Sequence, residues 1–124
     1  MTLVFYPLAE RELIAAARFY ETHASGLGAD FIRQVERTLV DVVAHPNAGV
    51  LFVESTIRRR LMHSFPFGLA YEIESDNISV IAIMHLRRRP SYWKRRVPAE
   101  SQARRQGPAP FVAAIFVTDK WSLK

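Results

Sequence analysis

The chain has 124 residues, with 17 Lys and Arg against 12 Asp and Glu, a formal net charge of +5 and no Cys. This length fits one domain with a core large enough to need no disulfide or metal, and the hydrophobic fraction of 49% argues against intrinsic disorder. The absence of Cys excludes disulfide scaffolds, thiolate metal sites and a cysteine nucleophile.

The apolar runs of the chain are short. The best of them, Ile78–Met84 and Phe111–Val117, fall far below the roughly 20 residues that a membrane-spanning helix needs. The N-terminus also lacks the basic region of a secretory signal peptide. We therefore expect a protein that does not contact membranes and that works in the cytoplasm.

The first half of the chain predicts a short strand and two helices. Leu3–Tyr6 has β-type residues and is followed by Pro7, and the pattern then turns helical over Leu8–Glu21. Asp30 is the expected N-cap of the second helix, which ends before Pro46. The two helices are expected to form a hairpin whose apolar stripes face the core, with Ala9, Leu13, Ala16 and Tyr20 in the first and Phe31, Val35, Leu39 and Val42 in the second.

The second half of the chain changes to a period of two, which predicts strands. They are expected at Val50–Val53, Ile57–Ser64, Leu69–Glu74 and Ile78–Met84. The last run is apolar at nearly every position, which is typical of a central strand buried on both faces. The fold class is therefore α+β: an N-terminal strand, a two-helix hairpin, then an antiparallel meander of three to four strands with the helices on one face.

The C-terminal end of the chain differs in composition from the rest. Residues 97–110 are rich in Pro, Gly, Ser and Gln, which indicates a linker between a domain at 1–96 and a tail at 111–124. Within that tail, Phe111–Val117 is a candidate for one more edge strand.

The positive charge is concentrated in the part of the chain that is expected to form the sheet. Residues 1–57 carry a net charge of −3 and residues 58–96 a net charge of +6, mainly from Arg58–Arg60, Arg87–Arg89 and Lys94–Arg96. Such a face favours a polyanion or an acidic protein partner, and a solvated surface is the alternative. Arginines bind phosphates, and nearby aromatics such as Tyr92 and Trp93 stack on unpaired bases.

The same arginines are compatible with two kinds of activity. In a metal-independent ribonuclease they would stabilise a phosphoryl transition state, with a 2′-hydroxyl as nucleophile. In a binding protein they would hold an acidic surface. The four His residues show no metal-ligand spacing, and no cofactor motif is present, so we expect neither a metal nor a cofactor.

Several spaced blocks of the sequence resemble the RelE/ParE family of type II toxin–antitoxin toxins, also known as plasmid-stabilisation toxins. The resemblance covers about residues 3–96. In chain order the blocks are Gly26–Phe31, Val35–Leu39, His45-Pro46, Ile57–Arg59, Phe65–Phe67, Ala70–Glu74, and His85–Arg88 followed by Tyr92-Trp93. It implies a small α+β toxin that inhibits growth and is neutralised by an antitoxin encoded nearby.

The resemblance also implies functions for individual residues, which differ between the two branches of the family. RelE-like members cut mRNA on the translating ribosome. Their catalytic basic residues correspond to Arg58, Arg60 and Arg87, and their C-terminal aromatic residue falls near Tyr92 or Trp93, of which Tyr92 is the expected catalytic residue. ParE-like members poison DNA gyrase. For either target, the expected binding residues are Arg58, Arg60, His85, Arg87 and Arg88.

The sequence departs from the RelE-like pattern at Gly68. RelE-like nucleases have an arginine there, and loss of one transition-state-stabilising group typically costs on the order of 10²–10³ in rate. The departure favours gyrase as the target over ribosome-bound mRNA, with His63, Arg59 or His85 as candidate replacements for the lost charge in a nuclease. A degenerate, inactive toxin is a third alternative.

Overall fold

The computed structural model describes residues 2–52, 54–89 and 92–96. Its elements follow the predicted order of one strand, two helices and a run of strands, which confirms the α+β class. They are β1 (Thr2–Phe5), α1 (Pro7–His23), α2 (Leu27–Ala44), a 3₁₀ turn (Pro46–Ala48), β2 (Val50–Leu51), β3 (Ile57–Leu61), β4 (Phe67–Glu74) and β5 (Asn77–His85). The predicted linker and tail, 97–124, lie outside the described residues.

The five strands form one mixed sheet in the order β1-β5-β4-β3-β2. Strands β2 to β5 are the predicted antiparallel meander, in its four-stranded form. Strand β1 pairs with β5 in the parallel direction, with Leu3 opposite Ile78. A parallel pair needs a long connection, which here contains both helices and the other strands. Strand β5 is buried from Ile78 to Met84, as predicted for a strand covered on both faces.

The two helices pack on one face of this sheet with their predicted stripes inward. Ala9, Leu13 and Ala16 of α1 are buried. The whole α2 stripe is also buried, and the rings of Phe31 and Phe67 lie 5.0 Å apart between centroids. Because Phe67 belongs to β4, this contact identifies the face of the sheet that the helices cover. None of the helices within the described ranges is long and apolar enough to cross a membrane.

The start of α2 differs from the prediction. Asp30 is not the N-cap; the cap is Gly26, whose φ of +88° lies in the left-handed region that glycine adopts without strain. The Glu21 carboxylate of α1 accepts hydrogen bonds of 3.0 Å from the N–H groups of Gly26 and Gly28. A carboxylate supplied by the other helix therefore caps α2 one turn earlier, and Asp30 instead pairs with Arg33.

Candidate functional site

The arginines of β3 are divided between the two faces of the sheet. Arg58 lies opposite Tyr71 and Arg60 lies opposite Leu69, whereas Arg59 between them lies opposite Ala70. Directly opposed residues of an antiparallel pair share a face, and successive residues alternate. Arg58 and Arg60 therefore lie on the face that carries Phe67, which the helices cover, and Arg59 lies on the other.

Arg58 is bound to the chain's own backbone. Its Nη1 donates hydrogen bonds to the carbonyl oxygens of Asn47 (3.1 Å) and Gly49 (2.9 Å), in the turn that follows α2. These contacts connect the edge of the sheet to the end of the helix hairpin. Arg60 has no hydrogen bond or ion pair within the described part of the chain, so its guanidinium is available to a ligand.

His85 shapes the end of β5. Its ring lies edge-on to Phe67, with centroids 5.0 Å apart, and its Nδ1 accepts a 3.0 Å hydrogen bond from the N–H of Arg87. A neutral His85 with this contact carries its proton on Nε2. The imidazole therefore stabilises the turn that exposes the Arg87 side chain, and it leaves Nε2 as a donor.

Gly68 lies in a crowded part of the sheet, on the face opposite to Arg60. It is paired with Leu61 on one side and Met84 on the other. A Cβ atom at this position would lie 3.3 Å from the carbonyl oxygen of Arg60 and 3.4 Å from Cε of Met84. A Cβ here would require the Arg60 carbonyl to shift by a few tenths of an ångström, whereas its distance from Met84 is an ordinary van der Waals contact.

Glu12 of α1 is the centre of a polar cluster that the sequence reasoning missed. Its Oε1 accepts hydrogen bonds from the N–H of Ile83 (3.1 Å) and from Nη1 of Arg96 (2.9 Å). Its Oε2 accepts a 2.5 Å hydrogen bond from the Tyr92 hydroxyl and lies 3.5 Å from Nη1 of Arg88. The partners follow Glu12 by 71 to 84 positions, so no local pattern could have indicated them.

The cluster around Glu12 provides hydrogen-bond partners for backbone groups of β5 that lie beyond the end of β1. Strand β1 ends at Phe5, opposite Val80, and the next residues of β5 have no strand on that side within the described ranges. Glu12 takes the N–H of Ile83, and Arg96 donates a 3.1 Å hydrogen bond to the carbonyl of Ile81. Two charged side chains thus occupy hydrogen-bonding positions that a strand would otherwise fill.

Two guanidinium groups lie close to the ring of Tyr92. The Cζ of Arg88 lies 3.7 Å and that of Arg96 lies 5.2 Å from the centroid of the Tyr92 ring. Burial, then the hydrogen bond to Glu12 and the charge of that carboxylate, raise the pKa of Tyr92 well above its usual value, against the opposing charges of Arg96 and Arg88. The hydroxyl is therefore protonated at neutral pH and acts as a donor to Glu12.

The structure brings some of the sequence-predicted site residues together and separates others. Arg58 and Arg60 share a face of the sheet. The His85 ring accepts a hydrogen bond from the backbone N–H of Arg87, and the Arg88 guanidinium stacks on the Tyr92 ring. The Tyr92 hydroxyl lies beside the edge of β5 that faces away from β4, whereas Arg58 and Arg60 belong to β3, on the other side of β4. Because neighbouring strands are spaced by roughly 4.8 Å, β3 and β5 are about 10 Å apart, and the Tyr92 hydroxyl is separated from the β3 arginines by at least that width of sheet.

A basic cleft lies beside Tyr92. It has a volume of about 640 Å³ and is lined by Arg88, Arg89, Tyr92, Lys94 and Arg95. Of its four cations, only Arg88 forms an ion pair within the described part of the chain. The cleft therefore offers three unneutralised cations and an aromatic ring to an anionic ligand. In the same part of the chain, no group of three or more His, Asp or Glu side chains is placed to hold a metal ion.

The fold is similar to that of a solved structure. It resembles a chain of a solved structure described as the chromosomal ParDE TA system from P. aeruginosa, with a TM-score of 0.55 and 19% sequence identity. The match covers 69% of this chain and 96% of that chain. The shared fold agrees with the RelE/ParE-type architecture implied by the sequence. No protein-family model matches the sequence, and no curated protein does.

Proposed function

We propose that this protein is the toxin of a type II toxin–antitoxin module, a cytoplasmic inhibitor of growth that an antitoxin encoded nearby neutralises. The observation that carries this proposal is the fold shared with a chain of a ParDE system, in a sequence whose spaced motifs resemble the RelE/ParE family. The charge distribution supports it, because the basic half of the chain suits an acidic antitoxin segment.

We further propose that the toxin acts by binding DNA gyrase. Two features of the structure favour binding over RNA cleavage. First, the Tyr92 hydroxyl is hydrogen-bonded to Glu12, and strand β4 separates it from Arg58 and Arg60. Second, Gly68 has no charged side chain that could stabilise a phosphoryl transition state. Arg60 and Arg87 are the arginines we expect to contact the target, since neither side chain is bound within the described ranges.

Cleavage of mRNA on the ribosome remains the second candidate, because the cleft between Arg88 and Arg95 has the charge and the aromatic ring that suit an RNA strand. In that case Arg58, Arg60, Arg87 and Tyr92 would be catalytic. A degenerate toxin is the third candidate and predicts no effect on growth.

The test is induced expression with and without the neighbouring antitoxin gene, followed by DNA-supercoiling and primer-extension assays. We expect growth arrest, loss of gyrase supercoiling and intact mRNA, with Arg60→Ala and Arg87→Ala each weakening the arrest. Arg18→Ala is the matched control, because Arg18 is exposed on α1, outside the basic half of the chain. Cuts at ribosome-occupied codons would reverse the choice of target, and unaffected growth would contradict both activities.

A further inference from the structure

An apolar groove lies between the C-terminal half of α2 and the edge strand β1. It has a volume of about 340 Å³ and is lined only by aliphatic side chains: Leu3, Leu39, Val40, Val43 and Ala44. Val40 is 67% exposed and Val43 is 37% exposed. Two large aliphatic side chains three positions apart on a helix thus form an exposed apolar strip beside the sheet.

The strand next to this groove is an edge of the sheet. Strand β1 pairs with β5 on one side, and no strand of the described residues pairs with its other side. The exposed edge of a strand can accept a further strand through backbone hydrogen bonds. A segment added there would place every second side chain beside Leu3, over the groove.

The described chain ends on the same side of β5 as this edge. Arg96 is anchored to Glu12 and to the carbonyl of Ile81. Ile81 lies three residues beyond Ile78, the partner of Leu3 in the parallel pair, which corresponds to about 10 Å along the strand. The guanidinium of Arg96, the last described residue, therefore lies on the side of β5 that faces β1, about 10 Å along the strand from the level of Leu3.

We infer that Phe111–Val117 of the same chain binds in this groove as a sixth strand, paired with the outer edge of β1. Its seven residues are all apolar and include β-branched and aromatic side chains, which suit a strand. The 14 residues of 97–110 are long enough to connect Arg96 to this segment, because a random-coil chain of 14 residues spans about 20 Å on average and up to about 46 Å when extended. The tail thus covers Val40 and Val43, whichever target the protein has.

Hydrogen exchange on the full-length protein, read by mass spectrometry, tests this inference. We expect the amides of Phe111–Val117 and of Leu3 to exchange at least about tenfold more slowly than unstructured amides. Ile115→Asp should remove the protection at Leu3, and Val40→Asp should remove it over the tail segment. Ala103→Asp controls for the added charge in the chain after Arg96. Val50→Asp controls for the groove, because Val50 is 63% exposed on β2 at the opposite edge of the sheet.

Three outcomes would overturn the inference. The first is exchange of Phe111–Val117 at the rate of an unstructured peptide. The second is protection that Val40→Asp does not change, which would place the segment elsewhere. The third is protection that rises with protein concentration, which would show that a second copy covers the groove. None of these outcomes bears on growth arrest, so the inference and the proposed function fail separately.

Discussion

The Tyr92 hydroxyl donates a 2.5 Å hydrogen bond to the carboxylate of Glu12, which precedes it by 80 positions. This contact attaches the segment 92–96 to the first helix. The guanidinium groups of Arg88 and Arg96 both lie near the same aromatic ring. The conformation of the basic cleft therefore depends on a single carboxylate in the acidic half of the chain.

Glu12→Gln is expected to destabilise the protein by about 2–3 kcal/mol. The side chains of Glu12 and Arg96 are only 16% and 10% exposed, so the change leaves a largely buried guanidinium without its counterion. Urea denaturation measures the loss, and faster hydrogen exchange at Ile83 would locate it. Glu10→Gln is the matched control on the same helix. Equal midpoints for the two variants would contradict the role given to Glu12.

The stability of the protein is expected to fall above about pH 10, in part because of Tyr92. Burial and the Glu12 contact raise the pKa of this phenol above its usual value of 10.0, so folding favours the protonated form. This contribution to stability is complete at pH values below the pKa of Tyr92 in the unfolded chain. It is lost as the pH rises through the pKa of Tyr92 in the folded protein. Urea unfolding between pH 8 and pH 11 measures this slope.

Tyr92→Phe isolates the contribution of Tyr92 to that slope. Tyr20 and Tyr71 also have raised pKa values from burial and remain in the variant. We therefore expect Tyr92→Phe to lower the free energy of unfolding at pH 8 and to flatten, without abolishing, its decline toward pH 11. Identical slopes for the variant and the parent would be the contrary result.

Arg58 and Arg60 are expected to separate into a structural and a target-binding arginine. Arg58→Ala removes the hydrogen bonds to the Asn47 and Gly49 carbonyls and should cost about 1–2 kcal/mol. Arg60→Ala should change stability by less than about 0.5 kcal/mol but should weaken growth arrest. Thermal or urea unfolding, run beside the growth assay, checks both. An unchanged growth arrest in a folded Arg60→Ala protein would remove Arg60 from the target surface.

Gly49 and Tyr71 are expected to be energetically coupled. The Tyr71 hydroxyl donates a 2.7 Å hydrogen bond to the carbonyl of Pro46. A Cβ at Gly49 would overlap that hydroxyl oxygen and come within 3.0 Å of Cε1 and Cζ of the ring. Gly49→Ala should therefore cost about 1–3 kcal/mol.

A double-mutant cycle tests this coupling. Tyr71→Phe removes the hydroxyl that Gly49→Ala would overlap, so the double variant should lose at least about 0.5 kcal/mol less than the sum of the two single losses. Urea denaturation of the four proteins gives the coupling energy. Additive losses would show that the Gly49 contact does not limit the packing of Tyr71.

The order of the elements and the buried stripes were predictable because each depends on residues close together in the chain. The helical spacing of Phe31, Val35, Leu39 and Val42 indicated a core face, and the continuous apolar run of β5 indicated burial on both sides. The start of α2 was not predictable in the same way. The helix begins at Leu27, after Gly26 in the αL conformation, so Asp30 lies inside its first turn. The backbone N–H of Gly26 is bound by the carboxylate of Glu21, which belongs to the other helix.

The candidate site shows the same division. The sequence alone located the basic half of the chain and named Arg58, Arg60, His85, Arg87, Arg88 and Tyr92. Only the packed structure decided which of these side chains are bound within the protein. Arg58 is bound by the turn after α2, His85 by the N–H of Arg87, and Arg88 and Tyr92 by Glu12.

The physical reason for this division is the range of the interactions. Periodicity and charge are properties of neighbouring residues, so they can be read along the chain. The contacts of Glu12 exist because β1 ends before β5 does and leaves backbone groups of Ile81 and Ile83 that require partners. Which side chains meet that requirement depends on the folding of the helices against the sheet.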